Sequence, residues 1–361
     1  MSRPSYLDKL QRPWATLVAA VYGCNFSCWF CGIQNSFDPK NWHRYRFIDP
    51  NLVGKVFEEM ARWNPGVRVE FDIRGDASLH PKLDEVFRAT RVDHKAFLQC
   101  HTNGSLLEEW DAFDSLLTSW FASGLNMLVL NSYRRWWGAP KPMSKYELWK
   151  VYTSRYQSAY PEIRVVDYYY DDPETRVSPH HYGDPRSKTI VIMDDIERMN
   201  EIAYGRNKRW HGQVGNLPIK FMTKLGIDVV QEPLQSRCTR PFREMDLEVD
   251  GHVTTCCLDW RRQMILGKFP EASMQEIWEG EAWCAVRELI WRKNRHMSPC
   301  NKCEVGGTRT GLLKPIDMPG TEQELLQIVE RNARRYAHAT HPGAELRVGN
   351  VEIKPERPGV F

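Results

Sequence analysis

The sequence predicts an α/β protein, an open or closed barrel of parallel strands with helical crossovers, followed by a small cysteine-bearing α+β unit. Two observations carry that expectation. Strand-like apolar runs alternate with helix-spaced segments at least five times between residues 15 and 170, the rhythm of parallel strands joined by helices. The ten cysteines are unevenly spread, three within residues 24–31 and six within 238–303.

The elements follow in order. Residues 15–22 form a short apolar run bounded by Gly23 and read as a buried strand. Leu52, Val53, Val56, Phe57 and Met60 fall on one side of a helix over 50–63. Residues 67–73 alternate as a strand; 81–90 read as helix, 96–100 as strand, 106–121 as helix, 125–130 as strand, 145–156 as helix and 163–170 as strand. The stretch 171–188, with Asp171-Asp172-Pro173, Ser178-Pro179 and Asp184-Pro185, is loop-like and suits a lid. Residues 205–237 are irregular. Leu247, Val249 and Val253 flank Asp250-Gly251 as a β-hairpin with an Asp-Gly turn. Helices are expected over 274–290 and from Thr321 to about Tyr336, and 354–359 read as extended. The active site of such a barrel belongs at the carboxyl ends of its strands.

Bulk properties narrow the classes. A chain of 361 residues makes one large domain or two ordinary ones. A net charge of +3 is too weak to argue for nucleic acid, and 42% hydrophobic residues suit a globular core. No run approaches the ~18 apolar residues of a membrane span, and Met1 to Asp8 hold no apolar signal core. The expected location is cytoplasmic, where ten cysteines point to metal or catalysis rather than disulfides.

The loop after the first strand reads Gly23-Cys24-Asn25-Phe26-Ser27-Cys28-Trp29-Phe30-Cys31, a Cys-x3-Cys-x2-Cys spacing. Three thiolates on one short loop hold three irons of a four-iron cluster and leave the fourth open to a small molecule. Zinc normally takes four ligands at paired Cys-x2-Cys spacing. The loop resembles the cluster-binding loop of the radical S-adenosylmethionine (radical SAM) enzymes. The resemblance implies a partial (β/α)6 barrel and a 4Fe-4S cluster on Cys24, Cys28 and Cys31, with SAM chelated at the open iron. It also implies cleavage of SAM to methionine and a 5′-deoxyadenosyl radical that abstracts a substrate hydrogen. A flavodoxin- or ferredoxin-like protein is the implied electron donor.

The strand ends carry looser motifs. Arg74-Gly75-Asp76-Ala77 stands where the family has Gly-Gly-Glu-Pro, and His80-Pro81 follows. The resemblance assigns Gly75 and Asp76 to the SAM amino group; a strand-to-helix turn capped by Asp76 is the plainer reading. Arg74 and Ala77 depart from the pattern. His101-Thr102-Asn103-Gly104 matches a Thr-Asn-Gly recurring at the third strand end, which places Asn103 near the cofactor; an ordinary turn explains it equally. Ser132, in Asn131-Ser132, takes the place of a serine that bonds the SAM carboxylate or ribose, and Phe30 that of an aromatic near the adenine. Arg209 is either a carboxylate partner or a solvated surface arginine.

Cys238, Cys256, Cys300 and Cys303 make a four-thiolate set that suits zinc or a four-iron cluster. Residues 238–303 resemble the SPASM/twitch extension of radical SAM enzymes through Cys238, Phe242, Asp250-Gly251, Cys256-Cys257-Leu258-Asp259, Gly267, Ile277-Trp278 and Cys300/Cys303. No cysteine follows Cys303, which favours the twitch form with one auxiliary 4Fe-4S cluster. Cys257 rivals Cys256 as ligand, and neighbours on a strand face opposite ways. Cys100 and Cys284 read as small buried hydrophobes.

The expected organisation is an N-terminal extension (1–14), a radical SAM core (15–205), an auxiliary cluster domain (206–310) and a C-terminal helix and tail (311–361). The expected activity is an oxidoreductase or dehydrogenase acting on a small polar metabolite. The alternative is modification of a nucleic-acid base or a peptide, for which the basic aromatic stretch Tyr133–Lys141 is the motive. Dehydrogenation needs a base; Asp246, Asp259, His180 and His181 are candidates.

Overall fold

The computed structural model describes residues 3–26, 45–132, 145–168, 187–193, 232–303, 314–341 and 346–354. Two compact units contain them. One takes in described residues 17–26 and 45–193; the other takes in 3–16 and the described residues from 232 onward.

The first unit is built on a parallel sheet. Its strands are β1 (Ala15–Val18), β4 (Arg68–Phe71), β5 (Phe97–Thr102), β6 (Met127–Asn131), β7 (Ile163–Tyr168) and β8 (Lys188–Met193), with the short antiparallel pair β2 (Val21–Tyr22) and β3 (Arg46–Phe47) beside it. The sheet order is β1-β4-β5-β6-β8-β7. The pairs from β4 to β7 in that order are all parallel. The last two strands therefore exchange places relative to a simple sequential barrel. Intervening helices are α1 (Pro50–Trp63), α2 (Leu83–Thr90), α3 (Trp110–Ala122) and α4 (Lys145–Ala159).

Local sequence explains these elements. Asp49 caps α1 by accepting from the Asn51 amide at 2.9 Å, with Pro50 at the first helical position. The buried stripe is Val53, Val56, Phe57, Met60 and Trp63. In α2, Asp84 and Glu85 open the helix and Arg88 closes it, matching the helix dipole. Phe71 packs edge-on to Phe87 of α2 at 5.1 Å, so Val69 and Phe71 face the helices. Arg68 and Glu70 consequently face the other side. That inward face also carries the apolar cluster Phe97, Met127, Val129, Val191 and Met193.

Two sequence expectations change here. The run 15–22 is interrupted after Val18, where the Ala20 amide turns back to the Val18 carbonyl at 3.0 Å. A strand occupies Lys188–Met193, which the loop-like segment before it had hidden. The lid segment otherwise falls outside the described residues, as do Tyr133–Lys141, His180, His181, Arg209 and most of 205–237.

The second unit holds the hairpin β9 (Glu244–Leu247) and β10 (His252–Thr254), with β11 (Ile265–Lys268) added antiparallel to β10. The Asp-Gly turn is where the sequence put it, with Gly251 at φ 83°. Its helices are α5 (Arg240–Arg243), α6 (Met274–Glu279), α7 (Glu281–Trp291) and α8 (Glu322–Tyr336). The single helix expected over 274–290 is two, because Gly280 adopts extended backbone between them. Capping boxes start α6 (Ser273 with Glu276) and α8 (Thr321 with Glu324). A second hairpin, β12 (Leu346–Val348) and β13 (Val351–Ile353), closes the described chain. Among the described residues no helix is long and apolar enough to cross a membrane.

Candidate functional site

The first strand ends in a backbone clasp. The Gly23 amide donates to the Arg74 carbonyl at 3.0 Å, and the Asp76 amide returns to the Gly23 carbonyl at 3.3 Å. Gly75 lies opposite Gly23 in this parallel bridge. A Cβ on Gly75 would stand 2.2 Å from the Gly23 oxygen, so only glycine permits the approach. Arg74 beside it is buried and left-handed, at φ 64°, a conformation that costs a residue with a Cβ about 1–2 kcal/mol. Strain of this kind collects at functional sites.

Asp76 is buried and fully engaged. Oδ1 accepts from the Ser78 amide (2.9 Å) and hydroxyl (2.6 Å); Oδ2 accepts from the Asn103 amide (2.7 Å), and Thr102 Oγ1 reaches both oxygens. Burial raises its pKa while these bonds oppose the rise. The carboxylate thus ties the second strand end to the third, and it is also the cap foreseen for the turn.

From there Asn103 reaches the cysteine loop. Its Nδ2 donates to Asn25 Oδ1 at 2.9 Å and lies 3.6 Å from Cys24 Sγ. Asn25 Nδ2 donates to Ser105 Oγ at 2.7 Å, and the Phe26 amide points at Cys24 Sγ from 3.4 Å. N–H groups aimed at a sulfur are what a metal-bound thiolate requires of its surroundings. Lys145 sits 5.0 Å over the Phe26 ring. Cys28, Phe30 and Cys31 lie outside the described residues. Ser132 is fully buried at the end of β6, its amide bonded to the Met193 carbonyl. Beside it, Asn131 Oδ1 is buried and has no hydrogen-bond donor among the described residues.

Below Asn103 on the inward face runs a polar row that sequence reading had not assembled. Arg68 Nη2 donates to Gln99 Oε1 at 2.6 Å, and Gln99 Nε2 meets His101 Nε2 at 2.5 Å. Arginine only donates, so the amide is oriented; its nitrogen then donates to His101, whose ring proton must sit on Nδ1. Burial, then the Arg68 charge, lower the His101 pKa to about 4, so the ring is neutral at pH 7. Period-2 spacing from Arg68 and Gln99 was the available signal.

In the second unit the cysteines are brought into each other's fields. Burial, then Cys303 and Cys238, push the Cys300 thiol up. Cys256 accepts the Leu258 amide at 3.4 Å, repeating the pattern of Cys24 and Phe26. Cys257 instead takes a hydrogen bond from Arg240. Cys300 opens a single turn (Cys300–Lys302) that Cys303 follows. Among the described residues no group of three or more histidine, cysteine or acidic side chains is drawn close enough for one metal ion.

Two family models match the chain. Residues 18–130 match the radical SAM superfamily model, and 238–304 match SPASM, an iron–sulfur cluster-binding domain. The chain carries a radical SAM domain and a SPASM domain. The crystal structure of BtrN in complex with AdoMet and 2-DOIA is similar at TM-score 0.51 and 16% identity, covering 82% of this chain and 94% of that one. Native anSMEcpe with bound AdoMet follows at TM-score 0.43 and 13% identity, covering 89% and 97%. Streptococcus suis SuiB bound to S-adenosylmethionine gives 0.43 and 12%, covering 81% and 71%. No curated protein matches the sequence.

The radical SAM domain binds SAM and a 4Fe-4S cluster, and the SPASM domain binds auxiliary iron–sulfur. Of the base candidates, Asp259 is fully buried and accepts the Gln263 and Met264 amides at 2.8 and 2.7 Å; it shapes the turn after the hairpin. Asp246 is equally buried within β9. Cys100 and Cys284 are buried, as expected of small hydrophobes.

Proposed function

We propose that this radical SAM enzyme is an oxidoreductase that dehydrogenates a small polar metabolite held against the inward face of the parallel sheet. Cys24, Cys28 and Cys31 would hold the SAM-binding cluster, and Cys238, Cys256, Cys300 and Cys303 a single auxiliary 4Fe-4S cluster. When bound, SAM on the first cluster supplies a 5′-deoxyadenosyl radical able to remove a substrate hydrogen. Phe30, Gly75, Asn103 and Ser132 are assigned to SAM, and Asp76 to positioning the strand ends that carry them. The observation that carries the reading is the Arg68–Gln99–His101 row. It lies on the same strand face as Asn103, two residues below it, and Asn103 touches Cys24. In this reading the His101 Nδ1–H donates to a substrate oxygen and the buried Asn131 Oδ1 accepts from the substrate. An apolar wall of Met127, Val129 and Val191 lies alongside. Such a surface suits a hydroxyl- or amine-bearing small molecule.

The test is anaerobic reconstitution with iron and sulfide, then dithionite, SAM and a panel of amino alcohols and polyols. The expected result is 5′-deoxyadenosine together with a substrate product two hydrogens lighter. Absence of 5′-deoxyadenosine in every arm would falsify the radical reading. Turnover only with peptides or oligonucleotides would move the substrate to a polymer.

A further inference from the structure

Arg240 stands among the cysteines of the SPASM domain. It follows Cys238 by two residues and opens α5, where Pro241 sits in the first turn. Its Nη1 donates to Cys257 Sγ at 2.9 Å and to Glu244 Oε2 at 2.7 Å. A guanidinium is charged at any working pH, so this contact fixes a cation, two residues on from Cys238, on Cys257, the chain neighbour of Cys256. The Cys256 sulfur accepts the Leu258 amide and is also hydrogen-bonded to the Cys257 sulfur. Cys257 thereby links the arginine to the sulfur of Cys256.

We propose that Arg240 is a positioning residue that raises the reduction potential of the auxiliary cluster. The inference rests on the reading that Cys238, Cys256, Cys300 and Cys303 hold that cluster. An added electron makes an iron–sulfur cluster more negative, and a fixed cation beside it favours the reduced form, here through a guanidinium 30% exposed whose field water partly screens. Glu244, ion-paired to the same guanidinium, offsets part of that field. A raised potential suits a cluster meant to receive an electron released in substrate oxidation.

The experiment is an anaerobic potentiometric titration of the reconstituted full-length protein, followed by electron paramagnetic resonance. The component whose spectrum SAM does not alter reports the auxiliary cluster. Arg240→Gln is expected to shift its midpoint to more negative potential, and Arg240→Lys to restore most of the shift. Glu244→Gln is expected to shift it the opposite way. An unchanged midpoint in Arg240→Gln with the cluster loaded overturns the proposal. Should Arg240→Gln fail to load iron, an unchanged or lowered midpoint in Glu244→Gln overturns it. A wild-type protein with no SAM-insensitive component overturns the ligand assignment instead, which separates that failure from a failure of Arg240.

Discussion

Replacing Gly75 with alanine tests the clasp between the cysteine loop and the second strand end. The added methyl would lie 2.2 Å from the Gly23 carbonyl oxygen and 2.6 Å from that of Val21. Real Cβ atoms essentially never approach closer than 3.0 Å, so the backbones must part by the 0.8 Å between 2.2 and 3.0 Å. The two clasp bonds, now 3.0 and 3.3 Å, would then exceed the ~3.5 Å beyond which such bonds are lost. Leaving buried backbone groups unpaired costs about 1–3 kcal/mol each. The pair therefore removes about 2–6 kcal/mol from a stability that is typically about 5–15 kcal/mol. The assays are urea denaturation and iron content after reconstitution, with the electron paramagnetic resonance response to SAM as the functional readout. The expected result is a lower denaturation midpoint and loss of the SAM response even where iron is retained. A Gly75→Ala protein with wild-type midpoint and wild-type response would refute the reasoning.

Three further outcomes follow from the same geometry. Gly54→Ala, inside α1 with its new methyl 3.9 Å from Ala89, is expected to stabilise the fold by about 0.5–1 kcal/mol, read as a higher urea midpoint, and a fall would show that the helix packs more tightly than described. Arg74→Gly and Arg74→Ala both lose the buried side chain, but only alanine keeps a Cβ at φ 64°; the glycine variant is expected to be about 1 kcal/mol the more stable in paired urea melts. His101 has its pKa lowered from 6.5 to about 4, so between those values the unfolded chain binds more protons. Its contribution, up to about 3 kcal/mol, is present above pH 6.5 and is lost as the pH falls toward 4. His101→Gln should flatten that part of a stability–pH curve, and an unaltered curve would deny the ring its neutral state.

Much of the fold was legible because its elements announce themselves locally. The α1 helix had a capping aspartate, a proline and a buried stripe; the β9–β10 hairpin had Asp250-Gly251. Lys188–Met193 was missed although Ile190-Val191-Ile192 has the β-branched, apolar character of a strand buried on both faces. Its neighbours in the chain read as loop, and its pairing partners lie far away in sequence. The exchange of β7 and β8 in the sheet has no local signal at all. The same limit applied to the site. Cys24, Gly75 and Asn103 were visible as motifs, but Arg68, Gln99 and His101 became a row only when register brought Glu70 beside Gln99.

The departures from the family's strand-end motif show what that segment demands. Where two glycines and a glutamate are the pattern, this chain has Arg74-Gly75-Asp76. Gly75 alone meets a hard contact, because carbonyl oxygens of Gly23 and Val21 occupy the space a side chain would fill. Arg74 meets only a backbone preference, which a well-buried side chain can offset. Asp76 needs no more than reach to Ser78, Thr102 and Asn103, which a short carboxylate has. The backbone of the clasp is therefore the invariant requirement. The side chains around it hold three strand ends at fixed spacing, so that Asn103 arrives at Cys24.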